Sequence, residues 1–259
     1  MTLSRWKLAV AATVCGVLAT AGCGSSGGSG SGAGAKAAPP ASATGSSPAR
    51  TFGCLSAEQA RDGSVDVPAV SGTRPGYYRG ADSGPGKVAV VFSHQKDGSL
   101  CEFLPYFPAF TRAGYAVLAT EVPGSPVTDL PFAMKWLQGK GATKVVLVGA
   151  SKGGTGSLVA AAAPSPLPVV AVVSLSGPAK YQGDDADKAV RTSQVPEFFA
   201  VEESDSPFAQ DAEDLHAAAV AAGKALKVYP GGNHGAGLLA DGALPDVLAF
   251  LAQHAPAAG

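Results

Sequence analysis

The sequence predicts an α/β protein with a mainly parallel central sheet, and three observations support this. First, near-continuous apolar runs recur along the chain, as in residues 87–93 (KVAVVFS) and 169–175 (VVAVVSL). Such runs are typical of strands that are buried on both faces. Second, stretches with helical periodicity lie between these runs. Third, strands that alternate with helices form a mostly parallel sheet with helices on both faces.

Six strands are expected from apolar runs, and two weaker strands precede them. The six lie at 87–93, 115–120, 144–148, 169–175, 195–201 and 225–229, and the weaker two near 64–70 and 76–80. Helices are expected around 130–137, 151–163, 209–222 and 244–254, with one more inside 102–113, where Pro105 and Pro108 obscure the start. Because ligands bind beyond the carboxyl ends of such strands, functional residues are expected in the loops that follow them.

The composition of the 259-residue chain permits a full hydrophobic core. Hydrophobic residues make up 46% and charged residues 15%, which argues against global disorder. The formal net charge of -1 gives no indication of a nucleic-acid partner.

The first residues resemble an export signal. Arg5 and Lys7 precede an apolar run over residues 8–21, which is too short to span a bilayer comfortably. We therefore expect residues 1–22 to be a signal peptide, and a retained transmembrane anchor is the weakest alternative.

The residues before Cys23 resemble a bacterial lipoprotein cleavage site, at which Cys23 becomes the lipidated first residue. Thr20 departs from the usual aliphatic residue, and residues 19–21 (ATA) also suit ordinary secretion. Lipid attachment at Cys23 is preferred, which predicts an exported protein on the extracytoplasmic membrane surface. Residues 23–50, rich in Gly, Ser, Ala and Pro, are expected to be a disordered tether, and residues 51–259 the folded domain.

Two of the four cysteines belong to the folded domain. Cys15 lies in the signal and Cys23 at its end, which leaves Cys54 and Cys101. In an oxidising compartment these two are expected to form a disulfide, and the alternative is two buried free thiols.

Residues 149–153 (GASKG) fit the pattern G-x-S-x-G, and their context makes the match specific. They directly follow an apolar strand and directly precede a helix, as in a nucleophile elbow. The strained turn requires small residues two positions on either side of the serine, and Gly149 and Gly153 meet this need. Ser151 is the candidate nucleophile.

A serine hydroxyl needs a general base, and His234 is the candidate because its loop (YPGGNHG) follows the last predicted strand. His216 and His254 are expected on helix surfaces. Asp205, just beyond the strand at 195–201, is the candidate that orients the imidazole, and Glu203 and Glu202 are its alternatives.

An acyl-transfer site also needs an oxyanion hole. We expect one donor to be the backbone N–H of Lys152 and the other the N–H of Gln95, in the loop after the strand at 87–93. His94 is expected to brace that loop.

Together these segments resemble the α/β-hydrolase superfamily, and in particular compact bacterial esterases of the dienelactone-hydrolase and carboxylesterase type. The pieces that carry the resemblance are FSHQKDGS, RAGYAVLATEVPG, KVVLVGASKGG, AVEESDSPF and PGGNHG, within residues 64–255. The resemblance implies the α/β-hydrolase fold with about eight strands, a Ser–Asp–His triad, and neither a metal nor an organic cofactor.

Two departures stand out. His94-Gln95 replaces the His-Gly of many relatives, and Lys152 follows the serine where many lipases have an apolar residue. The Lys152 side chain either favours anionic substrates or faces solvent, and we expect it to face solvent. The short polar segment 176–194 leaves no room for a helical lid, so we expect an open site.

The resulting prediction is a monomeric serine esterase for small or short-acyl esters. Its alternatives are a peptidase or amidase acting on cell-envelope material and a non-catalytic binding lipoprotein.

Overall fold

The computed structural model describes residues 49–257. The predicted signal peptide (1–22), the lipidation site Cys23 and all but the last two residues of the predicted tether (23–50) lie outside the described residues. None of the helices within 49–257 is long and apolar enough to cross a membrane.

An eight-stranded sheet forms the centre of the described domain. Its strands are β1 (Ser64–Pro68), β2 (Thr73–Arg79), β3 (Val88–Ser93), β4 (Ala116–Thr120), β5 (Lys144–Ala150), β6 (Val169–Leu175), β9 (Glu197–Glu202) and β10 (Lys224–Tyr229). Their order is β1-β2-β4-β3-β5-β6-β9-β10. The two pairings of β2 are antiparallel and all the others are parallel. All eight predicted strands are therefore present, and the sheet is mostly parallel as predicted.

Helices cover both faces of this sheet. They are α1 (Ala57–Gly63), α2 (Phe107–Arg112), α3 (Leu130–Gly139), α4 (Lys152–Ala161), α5 (Ala186–Val190), α6 (Phe208–Ala218) and α7 (Ala243–His254), with short 3-10 turns at Leu100–Glu102, Leu104–Tyr106 and Gly235–Leu239. Along β3, alternate side chains join two separate clusters: Val90 and Phe92 pack with α2 and α7, and Ala89 and Val91 pack with α3, α4 and α6. This burial on both faces explains the near-continuous apolar strands.

The helix expected over 209–222 is shorter than predicted. It ends at Ala218 because Ala219 takes an extended backbone. The next amide, Val220 N–H, donates to Val190 O instead of continuing the helix.

Between β6 and β9 the chain forms a small hairpin and one short helix. The hairpin consists of β7 (Lys180–Tyr181) and β8 (Asp184–Asp185), and α5 has five residues. No helical lid lies in this segment, so the predicted open site fits the connection observed.

A disulfide joins Cys54 to Cys101 and closes a loop of 47 residues. It fastens the chain before α1 to the 3-10 turn Leu100–Glu102. That turn forms one wall of the candidate site through Glu102.

Candidate active site

The three predicted catalytic residues follow the carboxyl ends of three strands on one side of the sheet. Ser151 directly follows β5, Asp205 lies three residues beyond β9, and His234 lies five residues beyond β10. Since these strands run parallel, their carboxyl ends meet at the same edge. The fold thus brings the three loops to the position where α/β sheets bind ligands.

Ser151 has a backbone conformation that residues other than glycine rarely adopt. Its φ of 50° and ψ of -118° place it between the end of β5 and the first turn of α4. The side chain is largely buried, at 8% exposure. Such strain at the residue between strand and helix defines a nucleophile elbow.

The flanking glycines are required by close backbone contacts. A Cβ on Gly149 would lie 2.1 Å from the Gly153 carbonyl, and a Cβ on Gly153 would lie 2.0 Å from Ser93 O. The G-x-S-x-G spacing therefore reflects a steric need in this fold.

His234 and Asp205 are hydrogen-bonded to each other. His234 Nδ1 lies 2.9 Å from one Asp205 carboxylate oxygen and 3.1 Å from the other. The carboxylate can only accept, so Nδ1 carries the proton and Nε2 is left free to accept one. Asp205 is buried, and the Phe208 ring packs on the imidazole with the ring centroids 4.2 Å apart.

The histidine loop also reaches the serine elbow. Gly235, the residue after His234, approaches the residue before Ser151: a Cβ on Gly235 would lie 3.3 Å from Ala150 Cβ. No hydrogen bond joins Ser151 Oγ to His234 within residues 49–257. Catalytic hydrogen bonds often tighten only when substrate binds.

Glu202, an alternative to Asp205 in the sequence analysis, has a different contact. This buried carboxylate accepts the Asn233 N–H at 2.5 Å and lies where a side chain on Gly231 would fall. Asn233 Oδ1 in turn accepts the His234 N–H. Glu202 therefore braces the histidine loop. Glu203 is exposed, and no hydrogen bond or ion pair joins it to His234 within residues 49–257.

Only one of the two predicted oxyanion donors is free of an acceptor. The Lys152 N–H lies in the first turn of α4, where amides have no intrahelical acceptor. The Gln95 N–H, by contrast, donates to Glu102 Oε2 at 3.3 Å. In this structure Gln95 therefore cannot offer its amide to an oxyanion unless the Glu102 carboxylate moves, because one N–H serves one strong acceptor.

His94 braces the loop after β3. Its Nδ1 lies 2.8 Å from Gln95 O and its Nε2 accepts the Val122 N–H at 2.9 Å. These two partners require a neutral ring with the proton on Nδ1, and burial lowers the pKa of His94. The ring therefore ties this loop to the segment after β4.

The Lys152 side chain differs from the prediction. It was expected to face solvent, but it is only 2% exposed and its Nζ donates to Val122 O at 2.6 Å. The glycine-rich start of α4 packs closely on the sheet, and the Lys152 side chain therefore lies beneath the loop after β4. Burial lowers the pKa of Lys152, and three nearby carboxylates (Glu102, Asp97 and Glu121) oppose that effect.

The remaining histidines have packing roles. His216 is half-buried against Phe199, and His254 is half-buried against Phe250. Neither is as exposed as predicted. Within residues 49–257, no cluster of three or more His, Cys, Asp and Glu side chains is arranged to hold a metal ion.

A cavity of about 280 Å³ opens beside the imidazole of His234. Its lining includes Glu102 and Tyr106, which the sequence analysis did not single out. Both lie on the 3-10 turns after the β3 loop. Sequence offers no local signal for them, since only the tertiary fold brings these turns to His234.

The sheet order, the strained serine between β5 and α4 and the His–Asp pair define the α/β-hydrolase fold. Neither a protein-family model nor a curated protein sequence matches the chain.

Solved structures resemble it over most of their length. An esterase from Pyrococcus furiosus matches with a TM-score of 0.62 and 16% identity, over 74% of this chain and 91% of that one. The esterase domain of a Rhodothermus marinus protein matches with a TM-score of 0.61 and 19% identity, over 74% and 98%. A dienelactone hydrolase from Anabaena variabilis matches with a TM-score of 0.58 and 22% identity, over 74% and 96%. At such identities the likeness shows the fold.

Proposed function

We propose that the protein is a serine hydrolase that cleaves carboxylic esters, with Ser151 as nucleophile, His234 as general base and Asp205 as its partner. The observation that carries the proposal is the Asp205–His234 hydrogen bond, which leaves Nε2 free at the edge of the sheet where the strained Ser151 lies. The solved structures that share the fold include proteins described as esterases, which supports the same reaction.

The first step forms an acyl-enzyme. Ser151 Oγ attacks the ester carbonyl carbon while His234 Nε2 accepts the hydroxyl proton. The carbonyl oxygen becomes an oxyanion that the Lys152 N–H stabilises, together with the Gln95 N–H once Glu102 has released it. His234 then protonates the alkoxy oxygen, the C–O bond breaks and the alcohol leaves.

The second step returns the enzyme to its resting state. Water attacks the acyl carbon and gives a proton to His234 Nε2, which passes it to Ser151 Oγ as the carboxylic acid is released. Asp205 stays ionised throughout and stabilises the imidazolium that forms twice.

The size of the cavity supports small substrates. At about 280 Å³ it lies at the low end of ligand pockets in proteins, which suits a short acyl or alkyl group.

Matched esters, amides and peptides test the proposal, with wild type compared with Ser151→Ala. Esters should be hydrolysed and amides or peptides far more slowly, and Ser151→Ala should lower kcat by roughly three orders of magnitude or more. A loss below about tenfold would refute Ser151 as nucleophile, since triad removals cost far more. Preferential cleavage of peptides would indicate a peptidase acting on cell-envelope material. Folded protein that cleaves none of them would indicate a binding protein.

We also propose that the mature protein is an exported, monomeric lipoprotein attached to the membrane through Cys23. The basic start, the short apolar run and the small residues before Cys23 support this.

A further inference from the structure

We propose that the cavity beside His234 receives a positively charged group of the substrate, with Glu102 as the residue that determines this specificity. The inference rests on the proposed function and names its substrate class: esters that carry a quaternary or protonated ammonium group.

The lining of the cavity contains one carboxylate and neither a lysine nor an arginine, and its one imidazole belongs to the proposed catalytic His234. The residues that line it are Gln95, Glu102, Tyr106, Asn233, His234, Ala236 and Gly237. Glu102 is half-buried, and its Oε2 is directed at the Gln95 N–H. A carboxylate with this degree of burial is screened less by solvent than an exposed one, so it acts strongly on a charged group nearby.

Further carboxylates stand behind the lining. Asp241 accepts a hydrogen bond from Asn233 Nδ2 at 2.8 Å, and Asp205 accepts one from His234. Burial raises the pKa of the Tyr106 hydroxyl, and Asp241 adds to this effect. Lys152 also acts on the Glu102 carboxylate, but its ammonium is buried and donates to Val122 O. The electrostatic environment of the cavity therefore favours a cation.

Tyr106 supplies an independent feature for the same group. Its ring lines the cavity four residues after Glu102, on the second of the two consecutive 3-10 turns. Aromatic side chains are the usual protein environment for quaternary ammonium ligands. The cavity volume of about 280 Å³ is sufficient for one such group.

The position of Glu102 is set by the fold. Its carboxylate occupies the space left by the missing side chain of Gly98, where a Cβ would lie 1.7 Å from Oε1. The neighbouring Cys101 is bridged to Cys54, which holds this turn in place. The disulfide holds the turn that carries Glu102 at the cavity wall, and the carboxylate can release the Gln95 N–H by a side-chain rotation that keeps it in the cavity.

The test compares two acetate esters of the same shape, acetylcholine and 3,3-dimethylbutyl acetate, which differ in one positive charge. At pH 8, wild type should favour the cationic ester by about fivefold or more in kcat/KM, and added salt should reduce the preference. Glu102→Gln keeps the shape and the acceptor for the Gln95 N–H, and should bring the ratio below about twofold. The ratio is the readout because the substitution can alter both rates.

Two further variants act as controls. Asp97→Asn removes an equal charge from the same loop, but Asp97 lies outside the cavity lining, so the ratio should stay as in wild type. Asn also tolerates the positive φ of 58° at this position. Tyr106→Phe keeps the aromatic face and should keep the preference, whereas Tyr106→Leu should weaken it.

Equal rates for the two esters in wild type, or an undiminished ratio in Glu102→Gln, would overturn the inference while leaving the serine esterase intact. If neither ester is hydrolysed, calorimetric titration with choline tests the cation pocket by itself. Choline binding to wild type that is lost in Glu102→Gln would support the cation pocket without the proposed reaction. Absence of choline binding by folded wild type would overturn it.

Discussion

Glu197 is a buried carboxyl group far from the chemistry, at the start of β9. It is fully buried, and neither of its oxygens has a hydrogen-bond partner within the described residues. Burial raises its pKa from 4.5 to about 7, an effect that the nearby Ser193 hydroxyl and Lys224 partly oppose. Because the folded state holds this proton more tightly than the unfolded state, its contribution to stability is full below pH 4.5 and is lost as the pH rises through about 7.

Glu197→Gln should remove this pH dependence. The variant and wild type should have similar free energies of unfolding at pH 4.5, and at pH 8 the variant should be the more stable by up to about 3 kcal/mol. Urea unfolding of both proteins at the two pH values measures this. If wild type and variant differ in free energy of unfolding by the same amount at both pH values, Glu197 does not titrate between them.

At the scale of elements, the junction of β5 and α4 is constrained by close backbone contacts. Gly149 and Gly153 meet across the turn, and Gly153 also meets Ser93 O at the end of β3. A missing side chain at each position is what allows α4 to begin directly beneath Ser151. The backbone strain at Ser151 is held in place by these contacts.

Gly149→Ala should therefore disrupt the elbow. Its Cβ would lie 2.1 Å from Gly153 backbone atoms, so we expect a loss of several kcal/mol in stability and of ester hydrolysis. The matched control is Gly139→Ala at the end of α3, where a Cβ has no neighbour within 4 Å. That variant should be neutral or slightly stabilising. Thermal unfolding and an activity assay check both, and an active, stable Gly149→Ala would contradict the steric account.

The sequence predicts those elements whose signal is local. Apolar runs predict six of the eight strands, and the glycines around Ser151 predict the turn, because burial on both faces and close packing act on adjacent residues. The two antiparallel edge-side strands β1 and β2 are only partly buried and gave a weaker signal. The ends of α6 and the burial of Lys152 could not be predicted in this way. Both depend on segments distant in sequence, namely Val190 for the end of α6 and Val122 for Lys152.

Some residues of the candidate site have a local signal in the sequence, and others do not. Ser151, Asp205 and His234 each lie within five residues of the end of a strand, so a parallel sheet is enough to bring their loops together. Glu102 and Tyr106 belong to turns that reach the site only through the packing of the 3-10 segment and the Cys54–Cys101 bridge. The hydrogen bond from the Gln95 N–H to Glu102 could not be predicted either, because it depends on the same packing of the 3-10 segment.

At the scale of the whole molecule, the proposed lipid at Cys23 would attach the domain to the membrane. Cys23→Ala should release the protein from the membrane fraction of an expressing bacterium, because a lipid chain at this residue is the proposed anchor. Fractionation followed by mass analysis of the mature N-terminus measures this. A Cys23→Ala protein that stays with the membrane would point to a retained apolar anchor, and a wild type that is already free would point to ordinary secretion.

The measurement that tests the central claim most directly is labelling of the folded domain with a fluorophosphonate, read by intact mass and peptide mapping. An activated serine should take up one adduct on Ser151, and Ser151→Ala should take up none. A folded wild-type domain that gains no adduct, or gains it at another serine, would contradict the assignment of Ser151 as a nucleophile activated by His234.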